Sequence, residues 1–259
     1  MLSSSNARLA AARRLTSRKE RREAGRFLAE GAQSVREALA ADAVLELFAT
    51  AEAFERHPEL ADGAAEISPK DAVALSETVT PQGLVAVCRL SQPSLAEVLA
   101  RGPRLLVSLV EPNEPGNLGT VIRTADAAGA DAVVLDGGVD PYNGKVVRAT
   151  AGSLFHLPVL SAPVGELLAA DGLATLATTG GGTAGLDELI ADGTLTGPTA
   201  WLFGNEARGL PEDVLRRAGR TVRVPIYGRA ESLNLAATAA VCLYGSALAQ
   251  NARTDRRTA

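Results

Sequence analysis

Short apolar runs alternate along the chain with helical patterns and with polar loops that carry glycine. In the first third, 27–31, 44–49 and 84–89 read as strands rich in Val, Leu, Phe and Ala. Between them, 33–40 has helical spacing with Val35 and Leu39 on one side. The stretch 52–57 reads as a helix that stops before Pro58, which makes His57 a surface helix-end residue. Ser68 stands where a cap belongs, ahead of another short helix. Strands and helices in turn predict a small α/β/α domain over residues 1–92, joined through 93–103 to a second domain at 104–259.

In that second domain, 104–110 is rich in Leu and Val, as a parallel strand buried on both faces is. A loop and helix follow at 117–128, then a strand at 132–135 that ends in Asp136-Gly137-Gly138. The pattern continues with a helix from about Tyr142 to Thr150, a strand approach at 152–159 holding a packed His156, and a helix at 166–170. Further strands are expected at 173–178, 201–203 and 221–224, with a short helix at 186–190. An Ala-rich apolar helix occupies 235–249, and 250–259 reads as a basic polar tail that frays. This alternation predicts a doubly wound parallel sheet, and ordinary chain physics predicts an unknotted one.

The charge is close to balance, Lys+Arg 26 against Asp+Glu 30, which argues against a surface basic all over but leaves room for a local patch. Residues 6–24 supply one. Arg8, Arg13, Arg14, Arg18, Lys19 and Arg22 gather there with few acids between them, and Leu9, Ala12 and Leu15 recur at helical spacing. The stretch reads as one basic amphipathic helix. Because 42–66 is acidic, the asymmetry favours a phosphate-facing patch. Aromatics make up 3% of the chain, so a broad aromatic platform for bases is not expected. Cys88 and Cys242 lie in apolar runs and read as buried free thiols. No metal-ligand spacing appears, so no metal is expected. No run has the length of a signal peptide or a membrane span, so a cytoplasmic protein is the default expectation.

The candidate chemistry lies where strands end. The 201–203 strand runs into Gly204-Asn205-Glu206, and the 221–224 strand meets Pro225 and a loop ending in Ser232-Leu233-Asn234-Leu235. The 105–110 strand leads to Asn113-Glu114-Pro115-Gly116-Asn117-Leu118-Gly119 and a helix bearing Arg123. In open α/β sheets, ligands bind at the carboxyl ends of strands. A plain turn or a helix N-cap accounts for each segment taken singly. The glycine run 180–182 lacks the context of a dinucleotide fingerprint, which weakens a nucleotide-dependent oxidoreductase reading.

Together and in order, the three segments resemble the signature motifs of the SpoU-type RNA ribose 2′-O-methyltransferases of the SPOUT superfamily: N-x-G-x-x-x-R-T-A from Asn117, G-N-E-x-x-G-L from Gly204, and P-x-x-G-x-x-x-S-L-N from Pro225. The opening N-A-R, F-L-A-E-G and T-P-Q-G-L-V-A-V resemble the ribosomal-protein-like substrate-binding domain that often precedes the SpoU domain. The resemblance implies an α/β-knot catalytic domain with a deep trefoil knot involving roughly 177–240, and S-adenosylmethionine held at Thr178, Gly204, Val224, Ile226 and Leu233. It implies a site made of Arg123, Asn117, Glu206, Ser232 and Asn234. In that site Arg123 activates the ribose hydroxyl, Asn117 orients Arg123 or the RNA, and Glu206 holds Arg123 or the cofactor side. It also implies a homodimer packed through the C-terminal helix. The expected function is S-adenosylmethionine-dependent RNA 2′-O-methylation, of ribosomal RNA before transfer RNA. A non-catalytic RNA-binding protein of the same fold is the alternative.

Overall fold

The computed structural model describes residues 1–78 and 80–252. In chain order the elements are α1 (Ala7–Arg14), α2 (Arg18–Ala24), β1 (Arg26–Glu30), α3 (Ala32–Ala40), β2 (Val44–Ala49), α4 (Ala51–Arg56), β3 (Ala65–Glu66), α5 (Pro69–Ala74) and β4 (Leu84–Arg89). Then come α6 (Leu95–Leu99), β5 (Leu105–Val110), α7 (Pro115–Ala127), β6 (Ala132–Asp136), α8 (Gly144–Ala149), β7 (Val159–Ser161), α9 (Val164–Leu168) and β8 (Ala174–Thr178). The chain continues with β9 (Ala184–Gly185), α10 (Leu186–Ala191), β10 (Thr199–Phe203), α11 (Glu212–Arg217), β11 (Arg220–Arg223) and α12 (Leu235–Asn251).

One compact unit holds residues 1–91 together with 140–156. Its sheet has the order β1-β4-β2-β3, with β4 antiparallel to both neighbours. Period-two alternation sends Phe27, Ala29, Leu84, Ala86 and Cys88 into one apolar layer and Leu28, Val85 and Val87 into the other. The first layer is completed by α3 and by Tyr142 and Val147 of the 140–156 excursion, with the Phe27 and Tyr142 rings 4.8 Å apart. The second is closed by Leu9, Ala12 and Leu15. Both faces are therefore covered, the α/β/α sandwich the alternation predicts. Ser68 caps α5, accepting from the Asp71 amide.

Several expectations are corrected here. The basic stretch is two helices, not one. Leu15 turns down into the core, and buried Arg21 donates to the Leu15 and Thr16 carbonyls at 2.8 and 2.9 Å, which fixes the break. On α3, Val35 and Ala38 are buried while Leu39 is exposed, because the helix rotates its small residue onto the sheet. Residues 152–159 do not form a strand approach. Ala151 and Gly152 adopt φ of 51° and 102°, which ends α8 in a left-handed turn, and only Val159–Ser161 is extended. His156 is accordingly no packed strand residue: it is exposed and stands 3.2 Å from Glu37.

The other unit, 92–139 with 157–252, is built on a seven-stranded, wholly parallel sheet in the order β7-β6-β5-β10-β8-β11-β9. All of β5 and β10 is buried, the condition for central strands covered by helices on both faces. Leu106, Ala132, Val134, Leu160 and Ala200 meet α6 and α9 residues in one cluster. The long α12 is pinned by a buried polar network: Trp201 Nε1 donates to Ser246 Oγ at 2.9 Å, and Gln250 Nε2 to the Arg104 and Gly197 carbonyls, each at 3.0 Å. Gln250 and Asn251 thus belong to the helix rather than to a frayed tail, and 253–259 lie outside the described residues. Both cysteines are free and buried. Loss of solvation pushes the Cys88 thiol up to about 12 and Cys242 further, so neither is a thiolate near neutral pH.

Candidate active site

The sheet order places β5, β10, β8 and β11 side by side with their carboxyl ends on one edge. The candidate residues lie at or after these strand ends: Thr178 closes β8, Gly204, Glu206, Val224, Ile226, Ser232, Leu233 and Asn234 lie in the following loops, and Asn117 and Arg123 lie on α7. After β5, Glu111 takes the left-handed φ of 49° and turns the chain toward α7. Pro115 opens that helix, where a missing N–H costs nothing. No side chain of α7's own N-cap closes its start. The Glu206 carboxylate does so from the β10 loop, accepting from the Asn113 amide at 3.1 Å and the Glu114 amide at 3.2 Å.

The same carboxylate accepts from Asn117 Nδ2 at 3.0 Å, and Asn117 Oδ1 accepts from Asn234 Nδ2 at 3.1 Å. Asn234 in turn accepts the Ala236 amide at 2.8 Å and so caps α12. Each asparagine uses its amide at both ends, the nitrogen as donor and the oxygen as acceptor. Burial works against ionisation of Glu206. The hydrogen bonds from Asn117, from its own amide, and from the Asn113 and Glu114 amides outweigh it and hold the carboxyl below its ordinary value. Glu206 is thus an anion that fastens two loops.

The β10 loop is itself tightly folded. Asn205 and Gly209 exchange backbone hydrogen bonds, and Asn205 Oδ1 accepts the Ala207 and Arg208 amides. A Cβ on Gly204 would fall 2.1 Å from the Gly209 carbonyl carbon, so only glycine fits. Asn205 Nδ2 reaches across to the Glu111 carbonyl at 2.8 Å, and Arg208 pairs with the Glu111 carboxylate at 2.6 Å. Sequence reasoning missed these ties as site features. The one available signal was Asn205 inside the G-N-E motif.

Arg123 projects from α7 into solvent, and among the described residues no hydrogen bond or ion pair holds its guanidinium. Asn117 and Glu206 therefore hold one another instead of Arg123. Ser232 and Leu233 are exposed in the loop before α12, and Asn234, not Ser232, is its N-cap. Of the cofactor candidates, Thr178 is half-buried with its hydroxyl on the Leu202 carbonyl at 3.0 Å, and Gly204 and Val224 are half-buried. Ile226 is partly exposed, on the loop that also carries Leu233. Thr178, Gly204 and Val224 end or follow the adjacent strands β8, β10 and β11. Glycine, apolar side chains and backbone groups at adjacent strand ends are the kind of groups that suit an adenosine with a short charged tail.

In the first unit, the basic residues divide. Arg8 pairs with Glu46 at 3.0 Å, Arg13 with buried Asp71, and Arg14 with Glu20 at 2.6 Å. Arg18, Lys19 and Arg22 line one shallow groove with Glu23, the nearest Lys19–Glu23 approach being 3.8 Å. Among the described residues no group of three or more His, Cys, Asp or Glu is placed to hold a metal ion. No helix there is long and apolar enough to cross a membrane.

Residues 104–244 match the family model described as the SpoU rRNA Methylase family. The chain belongs to that family. Residues 6–86 match a second family model, described as the MRM3-like substrate binding domain. The chain is 38% identical to the 23S rRNA (guanosine(2553)-2′-O)-methyltransferase RlmP of Bacillus subtilis, over 90% of its own length and 92% of that protein. Among solved SpoU structures, AviRb of Streptomyces viridochromogenes in complex with AdoMet superposes with a TM-score of 0.82 at 30% identity, covering 93% of this chain and 97% of that one. The AdoMet-bound rRNA methyltransferase from Sinorhizobium meliloti gives 0.80 at 31% identity, covering 95% and 96%.

Proposed function

We propose that this SpoU-family chain transfers a methyl group from S-adenosylmethionine to a ribose 2′-hydroxyl of 23S ribosomal RNA. The observation that supports the reading is the Asn234–Asn117–Glu206 chain of hydrogen bonds, which joins the three motif segments at one edge of the sheet, at the start of the helix that carries Arg123. Its relatives act on ribosomal RNA by name, which favours that substrate over transfer RNA. The unbroken set Asn117, Arg123, Glu206, Ser232 and Asn234 favours an enzyme over a non-catalytic RNA binder.

The bound donor supplies an electrophilic methyl on a sulfonium. Thr178, Gly204, Val224, Ile226 and Leu233 would hold it. The chain's task is then positioning: fixing the hydroxyl for in-line attack contributes roughly 7–11 kcal/mol in favourable cases. The hydroxyl must also shed its proton. A guanidinium with a pKa above about 12 is a poor base, so Arg123 acts as donor and cation toward the oxygen as negative charge grows on it. Asn117 and Glu206 fix the start of α7, and with it the direction from which Arg123 approaches.

Two wider features belong to the same reading. β11 pairs on one side with β8 and on the other with β9, though only 179–183 separate those two strands in the chain. The short loop therefore crosses β11, the arrangement a knotted SPOUT chain requires. Val241, Tyr244 and Leu248 form an exposed apolar stripe on α12, which a second subunit covers in a homodimer. The 1–91 unit presents the RNA, with Arg18, Lys19 and Arg22 on phosphate, in the cytoplasm where ribosomes are made.

The test is methyl transfer from labelled S-adenosylmethionine to ribosomal RNA from cells lacking this protein, followed by mapping of 2′-O-methyl positions. One new methylated ribose in 23S RNA is expected. Cofactor binding without any methylated ribose in ribosomal or transfer RNA sinks the enzyme reading.

A further inference from the structure

The place where 179–183 crosses β11 is held by more than the backbone. The Thr179 amide donates to the Val222 carbonyl at 2.9 Å, and the Thr183 amide donates to Thr221 Oγ1 at 3.2 Å. At Gly182 the crossing is so close that a Cβ would fall 2.4 Å from both the Val222 carbonyl carbon and the Arg223 nitrogen. Arg223 then reaches back over the crossing. Its Nη1 donates to the Gly182 carbonyl at 3.2 Å and the Thr183 carbonyl at 3.4 Å, and its Nη2 to Glu188 Oε1 at 3.0 Å. The second oxygen of Glu188 accepts the Gly185 amide at 2.9 Å. One planar guanidinium thus clasps the end of the loop, at Gly182 and Thr183, and reaches Glu188 at the start of α10, a task its forked donors suit and a lysine ammonium performs only in part.

We propose that Arg223 is a positioning residue for the methyl-donor pocket, clasping the 179–185 loop to β11 through Gly182, Thr183 and Glu188. The inference rests on the methyltransferase reading, which puts the donor between Thr178, just before this loop, and Val224, just after Arg223. Gly180, Gly181 and Gly182 give the loop wide conformational freedom, and ordering it during binding would weaken affinity. Arg223 orders it beforehand. Its guanidinium is committed to loop carbonyls and Glu188, so it takes no part in the proton transfer. Its loss is therefore read in donor affinity and not in the rate at saturation.

The experiment compares full-length wild type, Arg223→Ala, Arg223→Lys and Glu188→Gln. Calorimetry with S-adenosylmethionine, steady-state kinetics on ribosomal RNA and thermal melting are measured for each. Arg223→Ala is expected to raise the donor Kd and KM about tenfold, with kcat and the RNA KM within about twofold. Arg223→Lys and Glu188→Gln should fall between Arg223→Ala and wild type. An unchanged donor Kd in Arg223→Ala overturns the proposal. So does an equal loss of donor and RNA binding with a lowered melting point in all three variants, since Arg223 would then only hold the fold. Wild type that fails to bind S-adenosylmethionine at all overturns the methyltransferase reading itself.

Discussion

Asn234 donates its side-chain amide to Asn117 Oδ1 at 3.1 Å, across 117 positions of sequence. The bond ties the first turn of α12 to the first turn of α7, and Glu206 completes it from a third loop. Asn117→Asp keeps the acceptor for Asn234 but turns a carboxylate toward Glu206. Like charges at that distance repel, and the loops part. kcat/KM is expected to fall about a hundredfold near pH 7, the scale of a small misplacement at a reacting centre. Partial recovery at acidic pH should follow as the pair takes up a proton. Steady-state kinetics over a pH series checks this, and a near wild-type rate at pH 7 ends the positioning argument.

Arg123 stands without a protein partner among the described residues, ready for substrate. Arg123→Ala should lower kcat by about 10²–10³, the cost of removing one donor aimed at a developing oxyanion, while the S-adenosylmethionine Kd stays within about twofold. Arg123→Lys should retain part of the rate. Calorimetry beside single-turnover kinetics separates the two quantities, and activity near wild type for Arg123→Ala refutes the role.

Asp71 is 2% exposed and holds α1 against α5 through Arg13 and Ser4. The Ser68 hydroxyl lowers its pKa most, burial opposes, and Ser4 and Arg13 add to the lowering, so the folded value lies below the ordinary 3.8. A depressed carboxylate contributes stability that is fully present above the unfolded pKa and lost as pH falls through the folded one. Asp71→Asn should therefore cost about 1–2 kcal/mol at pH 7. The gap to wild type should close below about pH 4. Urea unfolding at several pH values measures it; a gap that widens on acidification contradicts the assignment.

The basic residues of α1 and α2 should act unequally on RNA. Arg8, Arg13 and Arg14 lie against Glu46, Asp71 and Glu20, while Arg18, Lys19 and Arg22 line one open groove in which Lys19 stands 3.8 Å from Glu23. Replacing Arg18, Lys19 and Arg22 by Ala should reduce the slope of log affinity against log salt by about 1 for each phosphate no longer neutralised. Replacing Arg8 and Arg14 should change it little. Filter binding of ribosomal RNA across a salt series decides, and equal slopes in both variants remove the groove as a phosphate-binding surface.

Leu248 is 68% exposed on α12, in line with Tyr244 and Val241. Leu248→Asp should convert a dimer to a monomer by placing a charge in an apolar contact. Light scattering reads the mass directly. A wild-type monomer at working concentrations, or a Leu248→Asp dimer, rules out this face.

Local sequence determined a great deal by itself. Apolar runs at 44–49, 84–89 and 105–110 are strands because β-forming residues bounded by turns leave little else, and Ser68 caps α5 as its spacing demands. The three motif loops were legible because they occur together and in order, each after an apolar strand; singly each passes for a turn or a cap. What only the tertiary structure decided is which groups meet. Glu206 seeks amides of α7 instead of Arg123, and the chain at 140–156 leaves the parallel sheet to finish the other unit's core beside Phe27. Arg21, held by Asp140 at 2.6 Å, fixes the break in the basic stretch through the Leu15 and Thr16 carbonyls. Hydrophobic periodicity reports which face of a segment is buried, but a hydrogen bond is satisfied by any partner within about 3 Å. That partner is set by how distant segments pack, which periodicity along one segment does not encode.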